Sequence, residues 1–254
     1  MIHLHADDYG YNREVDKKLV DLLKAGKIGS ISVLSTMVTP EASRSLAKVL
    51  RLRPRVKVGL HLNLVEGPCA SNPVQVPTLV DRRGCLHPLP IFYLRLILGL
   101  INRDEIRREA RAQFRQVTNY GLPVSFVDSH QHTHALSLVS EVVGGLAKQK
   151  KITVRTYGAV KTFTFIGFAK RVILSVASRM ASYAAYRRFV HPASWSKDKK
   201  VAFSFLSWEG SSLDILGITE QEVVFVAHPF LRFDSNLSYL KHLRGKGKKA
   251  QALK

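Results

Sequence analysis

Cysteine is scarce in this chain of 254 residues, and acidic residues are few relative to basic ones. Two cysteines, Cys69 and Cys85, are too few for a disulfide framework, which favours a reducing compartment. No signal peptide precedes the first predicted strand, Ile2–Ala6. The most apolar run, Ile91–Ile101, is too short to span a bilayer and contains Arg95. We therefore expect a cytoplasmic protein, and the sequence disfavours a secreted disulfide scaffold or a membrane-spanning chain.

The charge is strongly one-sided, with 39 Lys and Arg against 19 Asp and Glu, a formal net charge of +20. Such a field attracts nucleic acid, anionic membranes or acidic substrates. Much of the excess lies between Gly145 and Lys200, where a basic amphipathic helix is predicted at 165–186. Its basic face is either simply solvated or docks onto an anionic membrane, which would place the protein peripherally at the inner membrane surface. The sequence has no recognisable nucleic-acid motif, so no specific nucleic acid is expected.

Short β-like runs alternate with amphipathic helical runs, a pattern typical of parallel βα units and of an α/β fold. The predicted strands are 2–6, 30–36, 56–64, 124–127, 152–155, 201–205 and 223–227. The predicted helices follow Asn12 and Pro40 and cover about 103–120 and 136–148. We expect one domain over residues 1–243, with an irregular insertion at about 65–102 and a basic, disordered tail at 244–254.

Polar residues occur where four of these strands end, and parallel α/β folds gather such ends into one crevice. The residues are Asp7 and Asp8, His61, the Asp128–His134 cluster, and His228. Two imidazoles and one carboxylate suit a catalytic divalent cation that keeps open positions for water and substrate. A second carboxylate can then accept a proton from water, and a further histidine can protonate a leaving group.

Each of these residues also has an ordinary structural explanation. The paired aspartates fit turn and helix-cap chemistry, and a single His61 fits a hydrogen-bonded core histidine. In an extended segment His130, His132 and His134 would face the same side, yet one of them could be a ligand and the others bystanders. Only their conjunction indicates a site.

Four motifs, in this order, resemble those of the YdjC-like carbohydrate deacetylases, which include chitooligosaccharide deacetylase and a hopanoid-biosynthesis-associated branch. They are Ala6-Asp7-Asp8-Tyr9-Gly10, Val58-Gly59-Leu60-His61-Leu62, Asp128-Ser129-His130-Gln131-His132-Thr133-His134 and Ala227-His228-Pro229. The resemblance implies a distorted (β/α) barrel of the glycoside hydrolase/deacetylase type, often dimeric, which binds a divalent metal and removes acetyl groups from N-acetylated sugars.

Roles follow from the resemblance position by position. Asp8, His61 and His130 match the metal ligands, with Mg²⁺ and Zn²⁺ both compatible. Asp7 matches the general base and His228 the general acid. As substrate contacts we expect Arg155, together with His132 and His134.

Two alternatives stay open at this point. The first alternative is a family member that binds metal or sugar without turnover. It is suggested by two segments that are shorter than the resemblance leads one to expect, the link from Trp208 to Glu222 and the segment after His228. The second alternative, suggested by the net charge, is a basic protein that binds nucleic acid.

Overall fold

The structure, a computed structural model, describes residues 2–155, 202–205 and 223–227. Its strands are β1 (Ile2–Tyr9), β2 (Ser30–Val33), β3 (Lys57–Leu62), β4 (Val124–Ser129), β5 (Thr153–Val154), β6 (Ala202–Phe205) and β7 (Val223–Ala227). Its α-helices are α1 (Arg13–Lys24), α2 (Pro40–Leu52), α3 (Leu89–Ile97), α4 (Arg103–Asn119) and α5 (Ser137–Lys150). Short 3₁₀ helices cover Pro73–Gln75 and His130–Ala135.

The described strands form one parallel sheet in the order β5-β4-β3-β2-β1-β7-β6. Strands β1 to β5 lie side by side in sequence order, β6 lies beside β7, and β1 pairs with β7, as the first and last strands of a (β/α) barrel do. The predicted α/β class and barrel arrangement are therefore confirmed. Among the described strands, β5 and β6 are the two edges, and the chain between them lies outside the described residues.

The sheet is strongly curved, and one side-chain contact demonstrates it. Arg155 directly follows β5, whereas Asp7 lies on β1, four strand intervals away. In a flat sheet with strands about 4.8 Å apart, four intervals place them about 19 Å apart, well beyond the reach of the two side chains. Yet Arg155 Nη1 lies 2.6 Å from Asp7 Oδ1. The contact requires the sheet to curl around its interior.

The helices begin where the sequence supplies caps and pack their apolar stripes against the sheet. The side chain of Asn12 accepts a hydrogen bond from Val15 N at 2.9 Å and starts α1, and Thr39 does the same before Pro40 in α2. The predicted stripe of α1 is buried: Val15, Leu19, Leu22 and Leu23. Among the described residues, none of the helices combines the length and apolar character needed to cross a membrane.

The insertion is more ordered than the predicted irregular loop, because α3 and the short 3₁₀ segment lie within it. Carboxylates of α4 hold its backbone. Glu109 accepts hydrogen bonds from Ala70 N and Ser71 N, and Glu105 accepts one from Thr78 N. Cys69 and Cys85 are free thiols. The domain limits stay a prediction, and both the basic helix at 165–186 and the tail at 244–254 lie outside the described residues.

Candidate metal and active site

A bulge at the end of β1 brings two adjacent carboxylates to one place. The first strand, predicted to end at Ala6, is longer in the structure, because β1 continues through both aspartates to Tyr9. Asp8 adopts a left-handed conformation with φ of 64°, and the pairing with β2 shifts register between Ala6 and Tyr9. Consequently both carboxylates approach one imidazole: Asp8 Oδ1 lies 3.2 Å from His61 Nε2, and Asp7 Oδ1 lies 4.0 Å from His61 Nδ1.

Asp8, His61 and His130 converge as the sequence predicts, although they come from β1, β3 and the turn after β4. Asp8 Oδ1 lies 3.2 Å from His61 Nε2 and 2.8 Å from His130 Nδ1. Two ligands bound about 2.1 Å from one cation lie about 3.0–3.4 Å apart at octahedral or tetrahedral angles. The separation from His61 falls in this range, and that from His130, a direct hydrogen bond here, would have to lengthen by about 0.2 Å. All three residues are buried, and their ligand atoms lie within 4.8 Å of one another. The residues present therefore fit the divalent cation that the sequence predicts.

His61 is oriented by Asp128, its direct neighbour across the β3–β4 ladder. His61 Nδ1 lies 2.6 Å from Asp128 Oδ1. An ionised carboxylate only accepts hydrogen bonds, so Nδ1 carries a proton and Nε2 is the nitrogen left to bind a cation. This is the carboxylate–histidine arrangement that fixes imidazole ligands in metal sites.

A second buried group, His5, Asp7 and Asp128, also has the composition of a metal site. Its cationic position is already taken by Arg155. The guanidinium donates from Nη1 and Nη2 to the two oxygens of Asp7 at 2.6 and 3.0 Å, and Nη1 lies 2.9 Å from Asp128 Oδ2. We therefore interpret this group as an ion-pair network that fixes Asp7 and Asp128 beside the metal ligands.

Small side chains on β2 make room for this network. Ser30 and Ser32 are fully buried between β1 and β3. Ser30 Oγ lies 2.8 Å from His5 Nδ1, and Ser32 Oγ donates to Asp128 Oδ2 at 2.6 Å. The other ring nitrogen of His5, Nε2, lies 2.7 Å from Asp7 Oδ1. Because the serines are short, side chains of β1 and β4 meet across the strands between them.

The charges of the network control its protonation. Burial opposes ionisation of Asp7, but Arg155, His61 and His5 outweigh it and hold the pKa of Asp7 well below its ordinary value. The pKa of Asp128 is likewise lowered, because Arg155 and His61 outweigh the effect of burial. Burial would lower the pKa of His61, yet Asp128 and Asp7 raise it to about 10. In the metal-free protein a proton therefore competes with a cation for His61.

Asp8 is also held ionised. Burial raises its pKa, but hydrogen bonds with His130 and His61 outweigh burial and lower the pKa far below its ordinary value. A permanently anionic oxygen between two imidazoles is the charge that a divalent cation requires.

The histidine cluster does not continue in the predicted extended conformation. A 3₁₀ turn covers His130–Ala135, and Gln131 and His132 adopt left-handed conformations with φ of 51° and 59°. Alternate residues therefore do not share one side. His130 enters the metal group, whereas His134 is fully buried, with Nδ1 2.6 Å from Ser129 Oγ and Nε2 3.0 Å from the carbonyl oxygen of Arg155. Burial and Arg155 lower the pKa of His134 to about 3.

The other predicted site residues are placed as follows. His132 is buried within the 3₁₀ turn, and Arg155 reaches the site through Asp7 and Asp128. His228 follows Ala227, the last residue of β7, and lies outside the described residues. The roles of His5 and Asp128 were not predicted from the sequence. The available signal was their spacing of two residues from Asp7 and His130, which on a strand places side chains on one face.

Comparison with known proteins agrees with this architecture. The model of the YdjC-like protein family matches residues 1–231. A carbohydrate deacetylase from Clostridium beijerinckii is 32% identical over 158 residues, which are 62% of this chain and 60% of that protein. A carbohydrate deacetylase from Brevibacillus brevis is 28% identical over 240 residues, covering 85% of this chain and 91% of that one.

A crystal structure of a putative cellobiose-phosphate cleavage protein from Enterococcus faecalis superposes with a TM-score of 0.64 at 22% identity, covering 89% of this chain and 80% of that one. This likeness supports the fold. The match to the Clostridium protein spans about three fifths of that relative's length. Because the family model covers most of the sequence, the chain belongs to the YdjC-like protein family.

Proposed function

We propose that the protein is a metal-dependent hydrolase that removes the acetyl group from N-acetylated sugars. The observation that carries the proposal is the convergence of Asp8, His61 and His130 beside a separate ionised carboxylate, Asp7. Membership of the YdjC-like family and relatives named carbohydrate deacetylase support the substrate class. We propose substrates of the N-acetylglucosamine or chitooligosaccharide type, free or lipid-linked.

The reaction converts an acetamide and water into a free amine and acetate. A divalent cation at this site, Mg²⁺ or Zn²⁺, supplies a Lewis acid for the amide carbonyl and makes water more acidic. Asp7 accepts the proton of the attacking water, and Arg155 and His5 keep that carboxylate ionised and correctly oriented. His228, which follows the strand paired with β1, donates a proton to the departing amine.

For Arg155 the contacts favour a role through Asp7 and Asp128 rather than a direct sugar contact. His132 and His134 stay proposed substrate-side residues. For His134 the bonds to Ser129 and to the carbonyl of Arg155 support a further effect, which is to fix the backbone that carries Arg155.

The test is acetate release from N,N′-diacetylchitobiose and related N-acetylated sugars, measured with metal-free protein and after addition of Mg²⁺ or Zn²⁺. We expect activity that depends on metal and disappears in Asp8→Ala and His130→Ala. Glu41→Gln, which changes an exposed carboxylate of α2, is the matched control and should keep full activity. If Asp8→Ala retains both metal and acetate release, the proposal is wrong. Metal binding without acetate release from any tested sugar would instead favour the non-catalytic alternative.

We further propose that an anionic membrane surface is a partner. Five exposed large apolar side chains lie close together in sequence in and just after α3, on a chain with a net charge of +20: Ile91, Leu94, Ile97, Leu98 and Leu100. Apolar side chains on a basic protein are suited to interfacial binding to anionic lipid. Co-sedimentation with phosphatidylserine vesicles, but not phosphatidylcholine vesicles, at physiological salt is expected, and Leu94→Gln should weaken it. Absence of sedimentation with either type of vesicle would rule out this partner.

We also propose that the protein forms a homodimer. The test is the molar mass measured by light scattering as the protein elutes from a size-exclusion column, which should be twice that of one chain.

A further inference from the structure

Glu66, at the start of the insertion, lies on the opposite side of His130 from Asp8. Its Oε1 is 2.8 Å from His130 Nε2. The contact is not aligned as a hydrogen bond in this structure, and each of the two atoms is buried without another hydrogen-bond partner. His130 itself is only 6% exposed. A buried imidazole nitrogen thus faces a buried carboxylate oxygen.

The metal group determines which nitrogen of His130 is available to a cation. Nδ1 lies 2.8 Å from Asp8 Oδ1, so an ion shared with Asp8 and His61 takes Nδ1. A neutral imidazole that binds metal through Nδ1 carries its proton on Nε2. That proton then points to the side where Glu66 lies.

The two imidazole ligands therefore use opposite ring nitrogens toward Asp8, and each has a carboxylate next to its other nitrogen. His61 presents Nε2 toward Asp8, and its Nδ1 is held by Asp128 at 2.6 Å. His130 presents Nδ1 toward Asp8, and its Nε2 faces Glu66 at 2.8 Å. A carboxylate on the far nitrogen fixes the tautomer and raises the basicity of a ligating imidazole.

Glu66 is held in place by a scaffold of its own. Asn63 Nδ2 donates to the carbonyl oxygen of Glu66 at 2.6 Å. The backbone of Asn63 is in turn bound at both N and O by the buried side chain of Gln113 on α4, at 2.9 and 2.6 Å. The start of the insertion is thereby tied to the helix behind the site, so the position of Glu66 is built into the fold.

We propose that Glu66 is a positioning residue for the metal site: it accepts the Nε2 proton of His130 and thereby directs Nδ1 to the cation. This inference rests on the proposed metal site and assigns to the insertion a part in metal binding. Since 38% of the Glu66 side chain is exposed, the insertion links the metal ligands to the protein surface.

The experiment is a titration of the full chain, stripped of metal, with Co²⁺, followed by its visible d–d absorption, with competition by Zn²⁺. For Glu66→Ala and Glu66→Gln we expect metal affinity to fall by about 10- to 100-fold, with the larger loss in the alanine variant. The Co²⁺ bands should shift in both variants, which a purely structural role would not produce. Glu14→Gln removes an exposed carboxylate from the first turn of α1 and should leave affinity and spectrum unchanged.

The outcomes separate this inference from the metal site itself. Suppose that the wild type binds Co²⁺ and that both Glu66 variants have the same spectrum and an affinity within about twofold of the wild type, instead of the expected loss of tenfold or more. Glu66 then has no such role, and the proposed metal site is unaffected. If the wild type binds no Co²⁺, or Asp8→Ala binds as well as the wild type, the proposed site fails and the inference fails with it. Glu66→Gln, nearly the same shape as glutamate, keeps the test valid if the alanine variant folds poorly.

Discussion

Replacing Asp128 with Asn changes one charge and almost no volume, and it acts on both the stability and the metal site. The three groups within 2.9 Å of the Asp128 carboxylate are donors: His61 Nδ1, Ser32 Oγ and Arg155 Nη1. Asparagine has a single acceptor oxygen, so its amide NH₂ must face at least one donor. Asp128 is fully buried, and water cannot compensate for the lost contact.

The magnitudes follow from this geometry. Breaking a buried ion pair costs about 3–5 kcal/mol, and we expect the lower end, about 3 kcal/mol of unfolding free energy, because Arg155 keeps both contacts to Asp7. His61 loses the anionic partner that fixes its tautomer, so the affinity for Zn²⁺ should fall by about 10- to 100-fold. Urea unfolding measures the first effect, and calorimetric titration with Zn²⁺ measures the second.

Ser32→Ala is the matched control, since it removes a different bond in the same network. It should cost about 1 kcal/mol of unfolding free energy and leave Zn²⁺ affinity within about twofold of the wild type, because Ser32 does not contact a metal ligand directly. Zn²⁺ affinity unchanged in a folded Asp128→Asn variant would refute the orienting role of Asp128. An equal loss of affinity in both variants would show that the network acts only through general stability.

Three further changes test other parts of the structure. Gly59→Ala places a Cβ in steric conflict with the ring of Phe126, so urea unfolding should show a loss of about 1–3 kcal/mol in unfolding free energy; no loss would show that the ring moves freely. Burial raises the pKa of Asp16 to about 6, above its unfolded value, so the wild type loses stability as pH rises from about 4 to about 6. Asp16→Asn, which can still accept the hydrogen bond from Gly10, should therefore gain stability relative to the wild type over that window in urea melts at several pH values, and a constant difference would contradict this. Glu109→Gln should loosen the insertion, because the carboxylate binds two of its backbone amides, and faster limited proteolysis within residues 68–79 is expected; an unchanged cleavage rate would argue against it.

The α/β class and the three proposed ligands could be predicted from the sequence because both depend on strong local signals. Strand ends carrying Asp8, His61 and His130 are expected at one edge of a parallel sheet, and the structure brings these residues within ligand distance. Helix starts were likewise readable, since Asn12 and Thr39 cap where their residue types indicate.

Features that depend on backbone detail or on distant contacts could not be read in the same way. The bulge at Asp8 needs a left-handed aspartate, which no pattern of hydrophobic residues specifies. The same holds for the turn at Gln131 and His132, which overturned the assumption of an extended histidine cluster. Helix α3 was hidden in a stretch rich in proline and glycine, where its start at Leu89 is followed at once by Pro90.

The network behind the site was missed for a different reason. His5, Asp7, Asp128 and Arg155 come from three strands, and their meeting depends on how tightly the sheet curls. A sequence pattern gives the order of strands but not the curvature that closes the distance between β5 and β1. It could therefore place Arg155 at a strand end without identifying its partners.

The most direct test of the account is an anomalous difference map from a crystal of the full chain grown with Zn²⁺ and measured at the zinc absorption edge. One strong peak is expected among the described residues, about 2.0–2.2 Å from an oxygen of Asp8, from His61 Nε2 and from His130 Nδ1. A peak between His5, Asp7 and Asp128 with Arg155 displaced, or no peak near Asp8, would contradict it.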